Sequence, residues 1–324
     1  MKLSILLIIT LILGSCSTYK TVGIKVEHPA VIELRPEVQR VTLVNRTIPA
    51  KGAATVGSVL EGLISGESIM ADRLGAKAAL NGMQFALTQG DRLLPVGGIV
   101  DMKTNTIINT PPALTWAVID SLCIANGSDM IVACEFFDSD QAGTIGGANL
   151  PNTPNQGSAT VRAYYRVYDN INKVIVDEQM MRYLAGGGGG TLVLQGANIV
   201  ERRAYETGYE YGRMIVPYTN FEKRDIYHSG SKNLRAASNL ARANNWTAAE
   251  NMWRTGETGK RREAYRSAYN LAVASEMSGN LQQAMQFAEK VFSMKPKSRI
   301  AQYMRVLTIR MDEQPRLERQ KAGF

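Results

Sequence analysis

The sequence predicts an α+β fold, in which a mixed α/β N-terminal domain with an antiparallel hairpin is followed by an all-α region of repeated helices. First, a helix-like stretch that ends at Gly127 leads into the apolar run DMIVACEFFD, an order typical of an α/β step. Second, ATVRAYYRVYD alternates along its length, and the turn DNIN and the run KVIVDEQMMRY complete a predicted hairpin. Third, the C-terminal third has only helical patterns, and these repeat.

The chain opens with an apolar leader over residues 1–15. Residues 3–13 are almost all Leu or Ile, and this run is shorter than the roughly 20 residues that a membrane span needs. The sequence LGSC at residues 13–16 resembles the lipobox of bacterial lipoproteins. This resemblance implies a signal peptide that is removed before Cys16, and acyl chains on Cys16 that hold the protein on a membrane. The alternatives are an ordinary signal peptide or a buried N-terminal strand, and neither accounts for the cysteine.

Two segments are predicted to lie outside the folded domains. Residues 16–37 are expected to form an extended tether, because Pro29 and Pro36 disfavour a helix there. Residues 218–230 are expected to form a linker, which follows the helix that Pro217 ends.

Residues 38–217 are predicted to form the mixed α/β domain. Its first core strand is expected at the β-rich run RVTLVNR. Residues 138–157 are predicted to form a loop, and loops beyond about 12–15 residues are usually functional or disordered. Helices are expected at about 69–89, ended by Gly90, at about 110–127, beginning at Thr110-Pro111-Pro112, and at about 197–214.

Residues 231–324 are predicted to form helical repeats with a capping helix over about 299–318. The stretch AYNLAVASEMSGNLQQAMQFAEKVFSMKP resembles a tetratricopeptide repeat, and AASNLARANNWTAAENMWRTG is a weaker copy. Small alanines would let two antiparallel helices approach closely, although any helical hairpin could share this spacing. The residues predicted to pack the repeats are Ala249 in the weaker copy and Tyr269, Leu271, Ala272, Gly279, Ala284, Ala288 and Pro296 in the stronger one.

Composition indicates a folded, basic protein. Of the 324 residues, 45% are apolar and 20% are charged, so a packed core is expected. The formal net charge of +8 suits anionic headgroups or glycans, although a solvated surface with moderate excess charge is an alternative. The densest basic cluster is Lys260, Arg261 and Arg262, in the link between the two helix pairs. These three residues are candidate partner-binding residues, with a solvated inter-helix loop as the alternative.

The sequence predicts no catalytic residue, no metal and no cofactor. The two histidines, His28 and His228, have no neighbour at ligand spacing, which gives little support for a zinc site or a histidine-based triad. Cys123 and Cys134 could pair in an oxidising compartment, but their apolar surroundings favour free, buried thiols.

Two further patterns have a functional and a plain interpretation. Asp120, Asp129, Glu135 and Asp138 flank the helix–strand step, and solvated or capping roles are favoured over a glycosidase pair because no spacing selects two of them. The alternation of Arg and Tyr over residues 162–168 could bind sugar or nucleic acid, or it could be a solvated strand face with aromatic cross-strand pairs.

Several segments together resemble an uncharacterised family of lipoproteins from the Bacteroidota. The resemblance is carried by PAVIELRPEVQRVTLVNRT, SDMIVACEFFD, VRAYYRVYD and the stretch from NWTAAENMW to AYNLAVASEMSGNLQQA. That family has no established activity, so the resemblance implies architecture and location only. A fainter similarity, to envelope lipoproteins that activate cell-wall synthases or build secretion pores, rests only on the order of strands and helices.

We therefore expect a membrane-anchored lipoprotein of the cell envelope that is a non-enzymatic protein-interaction module or adaptor. The family resemblance favours the outer membrane, facing the periplasm. Its partners would be other envelope proteins, and nucleic acid is not expected. The alternatives are an enzyme that acts on cell-envelope glycan, which a deep pocket with two converging acids would favour, and a structural subunit of an envelope assembly.

Overall fold

A computed structural model describes residues 18–50, 66–105, 110–142, 158–184 and 199–322. The predicted signal peptide, Cys16 and most of the predicted 138–157 loop lie outside these residues. The described elements, in chain order, are β1 (Tyr19–His28), β2 (Arg40–Pro49), α1 (Gly66–Thr88), β3 (Leu94–Thr104), α2 (Trp116–Asn126), β4 (Met130–Ala142), β5 (Ser158–Asp169), β6 (Val174–Leu184), α3 (Ile199–Ile215), β7 (Tyr218–Tyr227), α4 (Lys232–Arg242), α5 (Trp246–Gly256), α6 (Arg261–Met277), α7 (Leu281–Met294) and α8 (Ser298–Ala322).

The chain divides into two compact units. The sheet unit comprises Pro29–Tyr218 with Leu317–Phe324, and the helical unit comprises the chain up to His28 with Thr219–Arg316. The predicted α+β fold class is confirmed, because a mixed α/β N-terminal region is followed by an all-helical C-terminal region. None of the helices in the described ranges is both long and apolar enough to cross a bilayer.

The sheet unit is built on a five-stranded mixed sheet with the order β3-β2-β4-β5-β6. Strand β2 is parallel to both of its neighbours, whereas β4, β5 and β6 run antiparallel in succession. The run Val41–Asn45 in β2 is buried throughout, as expected for a central strand that is covered on both faces. The β5–β6 hairpin is the predicted one, and β4 extends to Ala142, so the connection to β5 is shorter than the predicted 138–157 loop.

One face of this sheet is covered by α1 and α3, which approach each other closely. A Cβ atom built on Gly208 of α3 would overlap the carbonyl oxygen of Ala79, and one built on Gly82 of α1 would overlap that of Tyr205. Because only glycine lacks a Cβ, these two positions allow the helix backbones to contact each other.

The opposite face is covered by the short helix α2. Ile119 and Cys123 pack there on Val44, Ile131 and Ala133. Helix α2 ends at Gly127, whose φ of 65° is the left-handed conformation that glycine adopts at helix C-termini. Cys123 and Cys134 lie in cores on opposite faces of the sheet, and both thiols are free.

Helix α2 begins at Trp116, after the start predicted at Thr110-Pro111-Pro112. The backbone before it is bonded to side chains of the sheet. The carbonyl of Pro112 accepts a hydrogen bond from Arg46 at 3.2 Å, and the amide of Leu114 donates to the Tyr168 hydroxyl at 3.0 Å. These tertiary contacts hold the segment in an extended path, so the proline-rich start does not nucleate the helix.

In the helical unit, strands occupy positions where the sequence predicts a tether and a linker. Strands β1 and β7 form a two-stranded sheet. Tyr19 bonds Tyr227 and Thr21 bonds Asp225, so the strands run in opposite directions. Val22, Ile24 and Val26 alternate with exposed residues and join the core formed by the helices. Pro29 and Pro36, which disfavour a helix, both lie after the end of β1, so they do not interrupt this strand.

The helices of this unit form two hairpins with the same turn chemistry. Asn244 and Gly279, 35 positions apart, have positive φ values of 61° and 81°. Asn245 and Asn280 follow them, and each caps the next helix through its side chain. Most of the predicted repeat-packing residues are buried, namely Ala249, Tyr269, Leu271, Ala272, Ala284 and Ala288. The other two are exposed. Gly279 lies in the turn before α7, and Pro296 lies just beyond the end of α7.

Candidate functional site

The candidate site is a cavity in the helical unit with a volume of about 900 Å³. It is open to solvent and is bordered by the first turns of α6, the start of β1, the end of β7 and the segment that follows α7. Its lining residues are Thr18, Tyr19, Tyr227, Arg261, Arg262, Tyr265, Arg266, Met294, Lys295, Pro296 and Lys297.

The sequence of α6 places four of these side chains together. Arg261 and Tyr265 are four residues apart, as are Arg262 and Arg266, so all four lie on one side of the helix. Arg261 also donates a hydrogen bond to the carbonyl of Met294 at 3.2 Å, which connects α6 to the end of α7.

The segment after α7 contributes the other cations. The helix ends at Met294, and Lys295 is extended because the residue before a proline disfavours the helical conformation. Lys297 follows Pro296, and its ammonium nitrogen lies 5.6 Å from the centre of the Tyr265 ring. Pro296 therefore ends the helix and helps to place two lysines at the cavity.

The described lining of the cavity has five cationic side chains and no carboxylate. The nearby Glu263 is directed to Ser231, whose hydroxyl donates to it. Arg266 is only 7% exposed, and its Nη1 donates to the carbonyl and, at 3.1 Å, the hydroxyl of Ser229. Burial first, and then the charge of Arg262, lower the pKa of Arg266. Within the described part of the chain, Arg266 has no acidic partner.

Three tyrosines form the aromatic wall of the cavity. The rings of Tyr19 and Tyr227 are 4.5 Å apart, and the Tyr19 hydroxyl donates to that of Tyr227 at 2.9 Å. Burial and the neighbouring hydroxyls of Tyr19 and Tyr265 raise the pKa of Tyr227. The guanidinium of Arg266 lies 5.3 Å from the centre of the Tyr227 ring. The raised pKa keeps Tyr227 neutral at physiological pH, so this buried hydroxyl adds no negative charge to the cavity.

The structure brings together two of the three predicted partner-binding residues. Arg261 and Arg262 line the cavity, whereas Lys260 is exposed beside it at the N-cap of α6. Tyr265 and Arg266 complete the helix face and were not singled out from the sequence. Their spacing from Arg261 and Arg262 was the available signal.

Among the described residues, the buried Glu135 and Glu276 have arginine partners, whereas the buried Asp169 accepts hydrogen bonds from Asn172. In the sheet unit, Glu135 is the extra residue of a β-bulge in β4, which turns its side chain onto the α2 face. Its carboxylate pairs with Arg46, accepts from Arg166 at 3.2 Å and accepts from the Tyr168 hydroxyl at 2.6 Å. Burial raises the pKa of Glu135, and the Tyr168 hydrogen bond and the two arginines oppose this.

Arg166 and Tyr168 are therefore buried, and the interpretation of the 162–168 alternation as a solvated face is wrong at these two positions. The other acidic residues near the helix–strand step are also paired. Asp120 pairs with Lys173, Asp129 with Arg40, and Asp138 with Arg162.

The helical unit has a similar cluster around Glu276, near the end of α6. Its two carboxylate oxygens accept from Arg224 at 2.8 and 2.9 Å, from Arg310 at 2.7 Å and from the Tyr303 hydroxyl at 2.9 Å. Glu276 thus ties β7 and α8 to α6. In contrast to this cluster, in which a carboxylate accepts from two arginines, the cationic cavity has no carboxylate among its described lining residues.

Comparison with protein families gives matches over both regions of the chain. Residues 38–227, more than half of the chain, match the family described as "Domain of unknown function (DUF8603)". The chain belongs to the DUF8603 family. Residues 235–309 match a second description, "Domain of unknown function (DUF6340)". No curated protein matches the sequence.

Solved structures show only distant similarity to this DUF8603 protein. The "PelC dodecamer from Paraburkholderia phytofirmans" is 8% identical, with a TM-score of 0.28, and the match covers 61% of this chain and 99% of that one. The "hypothetical protein CT253 from Chlamydia trachomatis" is 12% identical, also with a TM-score of 0.28, and covers 55% and 97% respectively. TM-scores this low do not support any inference about function.

The cavity draws on both matched regions. The DUF8603 match ends at Tyr227, which lines the cavity, and the DUF6340 match contains every lining residue from Arg261 to Lys297. Thr18 and Tyr19 precede both matches. The site therefore needs three separate parts of the chain.

Proposed function

We propose that this DUF8603 protein is a lipid-anchored lipoprotein of the cell envelope that works as a non-enzymatic protein-interaction module or adaptor. The observation that carries the proposal is the cationic cavity of the helical unit, whose described lining has five cations and no carboxylate. Concentrated charge of one sign attracts partners of the opposite sign and favours association with an acidic surface.

The envelope location in this proposal rests on the sequence. The LGSC motif at residues 13–16 would be cleaved before Cys16, and the acylated cysteine would hold both units on a membrane. We place the protein at the outer membrane, facing the periplasm, and we assign it to the Bacteroidota lipoproteins with tetratricopeptide-like repeats. The 35-residue offset between the two Asn-capped hairpins supports the repeat assignment.

The anchor would also affect binding strength. Two helix hairpins offer a small surface, so the affinity of the isolated unit for a partner would be modest. A lipid anchor confines the protein and an envelope partner to one surface, and this raises their effective concentration without any new contact.

Chemical crosslinking in intact cells tests the proposal. Lys260, Arg261 and Arg262 are all replaced by Glu, and crosslinked proteins are identified by mass spectrometry. Acidic residues at the start of α6 are compatible with the helix dipole, so the fold should be retained, as circular dichroism can verify. We expect the crosslinked envelope partner of the wild-type protein to be lost.

The matched control reverses three exposed cations of the same unit that do not line the cavity, namely Lys223, Lys232 and Arg305. This control should retain the partner. If both triple variants crosslink the same proteins as the wild type, the cavity is not the partner-binding site.

A further inference from the structure

We propose that the cationic cavity is also a phosphate-binding site, which accepts the phosphoryl group of a soluble phosphate ester or of a phospholipid headgroup. This inference goes beyond the proposed protein partner, because it concerns a small anion that the purified chain would bind without one. It rests on the charge of the lining, on the burial of Arg266 and on the first turn of α6.

The charge of the lining exceeds what a single carboxylate can balance. Of the residues that the structure describes, five cations and no acidic side chain line the cavity. A phosphate monoester carries a charge of about −1.5 to −2 at neutral pH and has three strong acceptor oxygens. Such a group can accept charge-assisted hydrogen bonds from several arginines at once, and arginine presents a planar fork that matches phosphate oxygens.

Arg266 is a buried arginine that pairs with no carboxylate among the described residues. The buried Arg46 and Arg166 each have a glutamate partner, and the buried Arg92 donates to the carbonyls of Val38 and Arg35. Arg266 donates to oxygens of Ser229 and lies near the Tyr227 ring. Burying a cation is costly without a counter-ion. An anion in the cavity would supply the counter-ion that the described chain does not.

The first turn of α6 adds hydrogen-bond donors to the same place. The N-cap residue, Lys260, makes no side-chain cap hydrogen bond, since an ammonium group has no acceptor. Arg261 and Arg262 follow it, although cations are unfavourable at the positive end of the helix dipole. A phosphoryl group would bind the amides of this turn and neutralise the side chains beside them.

Isothermal titration calorimetry of the purified full chain tests this inference. The chain carries Cys16→Ala, so that acyl chains do not contribute, and the soluble probe is glycerol 3-phosphate, with acetate at equal ionic strength as the carboxylate comparison. Two variants remove lining cations: Arg266→Gln, which is buried, and Arg262→Gln, which is exposed and should fold even if the first does not. Arg305→Gln, an exposed cation of α8 outside the cavity, is the matched control.

Vesicles distinguish the two sources of phosphate. The same proteins are sedimented with vesicles of phosphatidylcholine alone and with vesicles that also contain phosphatidylglycerol. Saturable binding of glycerol 3-phosphate points to a soluble ester, whereas binding only to the phosphatidylglycerol vesicles points to a headgroup. In either case Arg262→Gln should weaken binding roughly tenfold, the effect of one lost charged hydrogen bond, and Arg305→Gln should not.

Three results would overturn the inference. They are the absence of binding to both probes, equal binding of acetate and glycerol 3-phosphate, and an equal loss in Arg262→Gln and Arg305→Gln. Failure of the crosslinking experiment would leave this inference standing, because the titration involves no protein partner.

Discussion

Asp129 shows how a single carboxylate joins two strands of the sheet unit. It accepts from the amides of Gln39 and Arg40 at 3.1 and 2.8 Å and from the Arg40 guanidinium at 3.1 Å. Although partial burial would raise its pKa, the hydrogen bonds to Arg40 and to the two amides hold the pKa below its usual range. Asp129 is therefore a structural contact with the start of β2.

We predict that Asp129→Ala destabilises the sheet unit by about 1–3 kcal/mol, because two backbone donors lose their acceptor. The pKa of Asp129 is lower in the folded state than in the unfolded chain. Its contribution is therefore complete above the unfolded-state value of about 3.9 and is lost as the pH falls through the folded-state value. Urea unfolding at several pH values should show the difference from wild type shrinking at acidic pH. The control is Asp120→Asn, which removes an exposed ion pair and should change the free energy of unfolding little. A stability difference between Asp129→Ala and the wild type that did not depend on pH would contradict this role of Asp129.

In the helical unit, we predict a larger loss of stability when the buried Glu276 is replaced. Glu276→Gln removes the buried carboxylate that Arg224 and Arg310 share, although Arg224 keeps its ion pair with Glu222, and breaking a buried pair typically costs about 3–5 kcal/mol. The urea midpoint of the helical unit should fall accordingly. Glu250→Gln, on an exposed pair with Arg254, is the control and should have a small effect. If the two variants lose equal stability, the Glu276 cluster does not hold the unit together.

At the scale of elements, the close contact between α1 and α3 is the most sensitive point of the sheet unit. Replacing Gly by Ala within a helix usually stabilises it by up to about 1 kcal/mol. We predict the opposite sign for Gly208→Ala, because the new methyl group would overlap the carbonyl of Ala79 and force the helices apart. A thermal melt followed by circular dichroism should show a lower Tm, and a higher Tm would contradict the backbone contact.

Local patterns predicted the elements that depend on neighbours in sequence. The β5–β6 hairpin, the Gly127 terminus of α2 and the Asn-capped helix hairpins follow from short stretches of sequence. The β1–β7 pair does not, because its partners are about 200 residues apart and the alternation of Val22, Ile24 and Val26 indicates no partner. The burial of Arg166 likewise depends on helix α2 and the β4 bulge, which no pattern within β5 indicates.

Only part of the candidate site could be predicted from the sequence. Arg261 and Arg262 stood out as part of a dense basic cluster, and the cavity contains both. Tyr19, Tyr227 and Lys297 could not be joined to them from the sequence, because three distant segments meet only in the folded unit. The spacing of Arg266 from Arg262 is visible in the sequence, but its burial without an acidic partner among the described residues is a tertiary property.

At the scale of the whole molecule, the proposed function depends on the proposed lipid anchor at Cys16. We predict that Cys16→Ala abolishes lipidation and leaves the signal peptide uncleaved, because the acylated thiol is absent. Metabolic labelling with a clickable fatty acid should mark the wild-type protein and not the variant. Cys123→Ala is the matched control, since this thiol is buried in the sheet unit and should not be acylated. Labelling that persists in Cys16→Ala would end the lipoprotein proposal.

The central claim is that the cationic cavity captures an envelope protein, and site-specific photo-crosslinking in intact cells tests it most directly. A photo-crosslinking phenylalanine derivative replaces Ser298, which is exposed and adjacent to the lining residue Lys297, so all five cations remain in place. The same probe at Gln282, exposed on α7 outside the cavity, is the comparison. We predict a discrete protein adduct from position 298, which high salt before irradiation weakens, and none from position 282. Adducts of equal yield and identity at both positions, or no protein adduct at position 298, would contradict the claim.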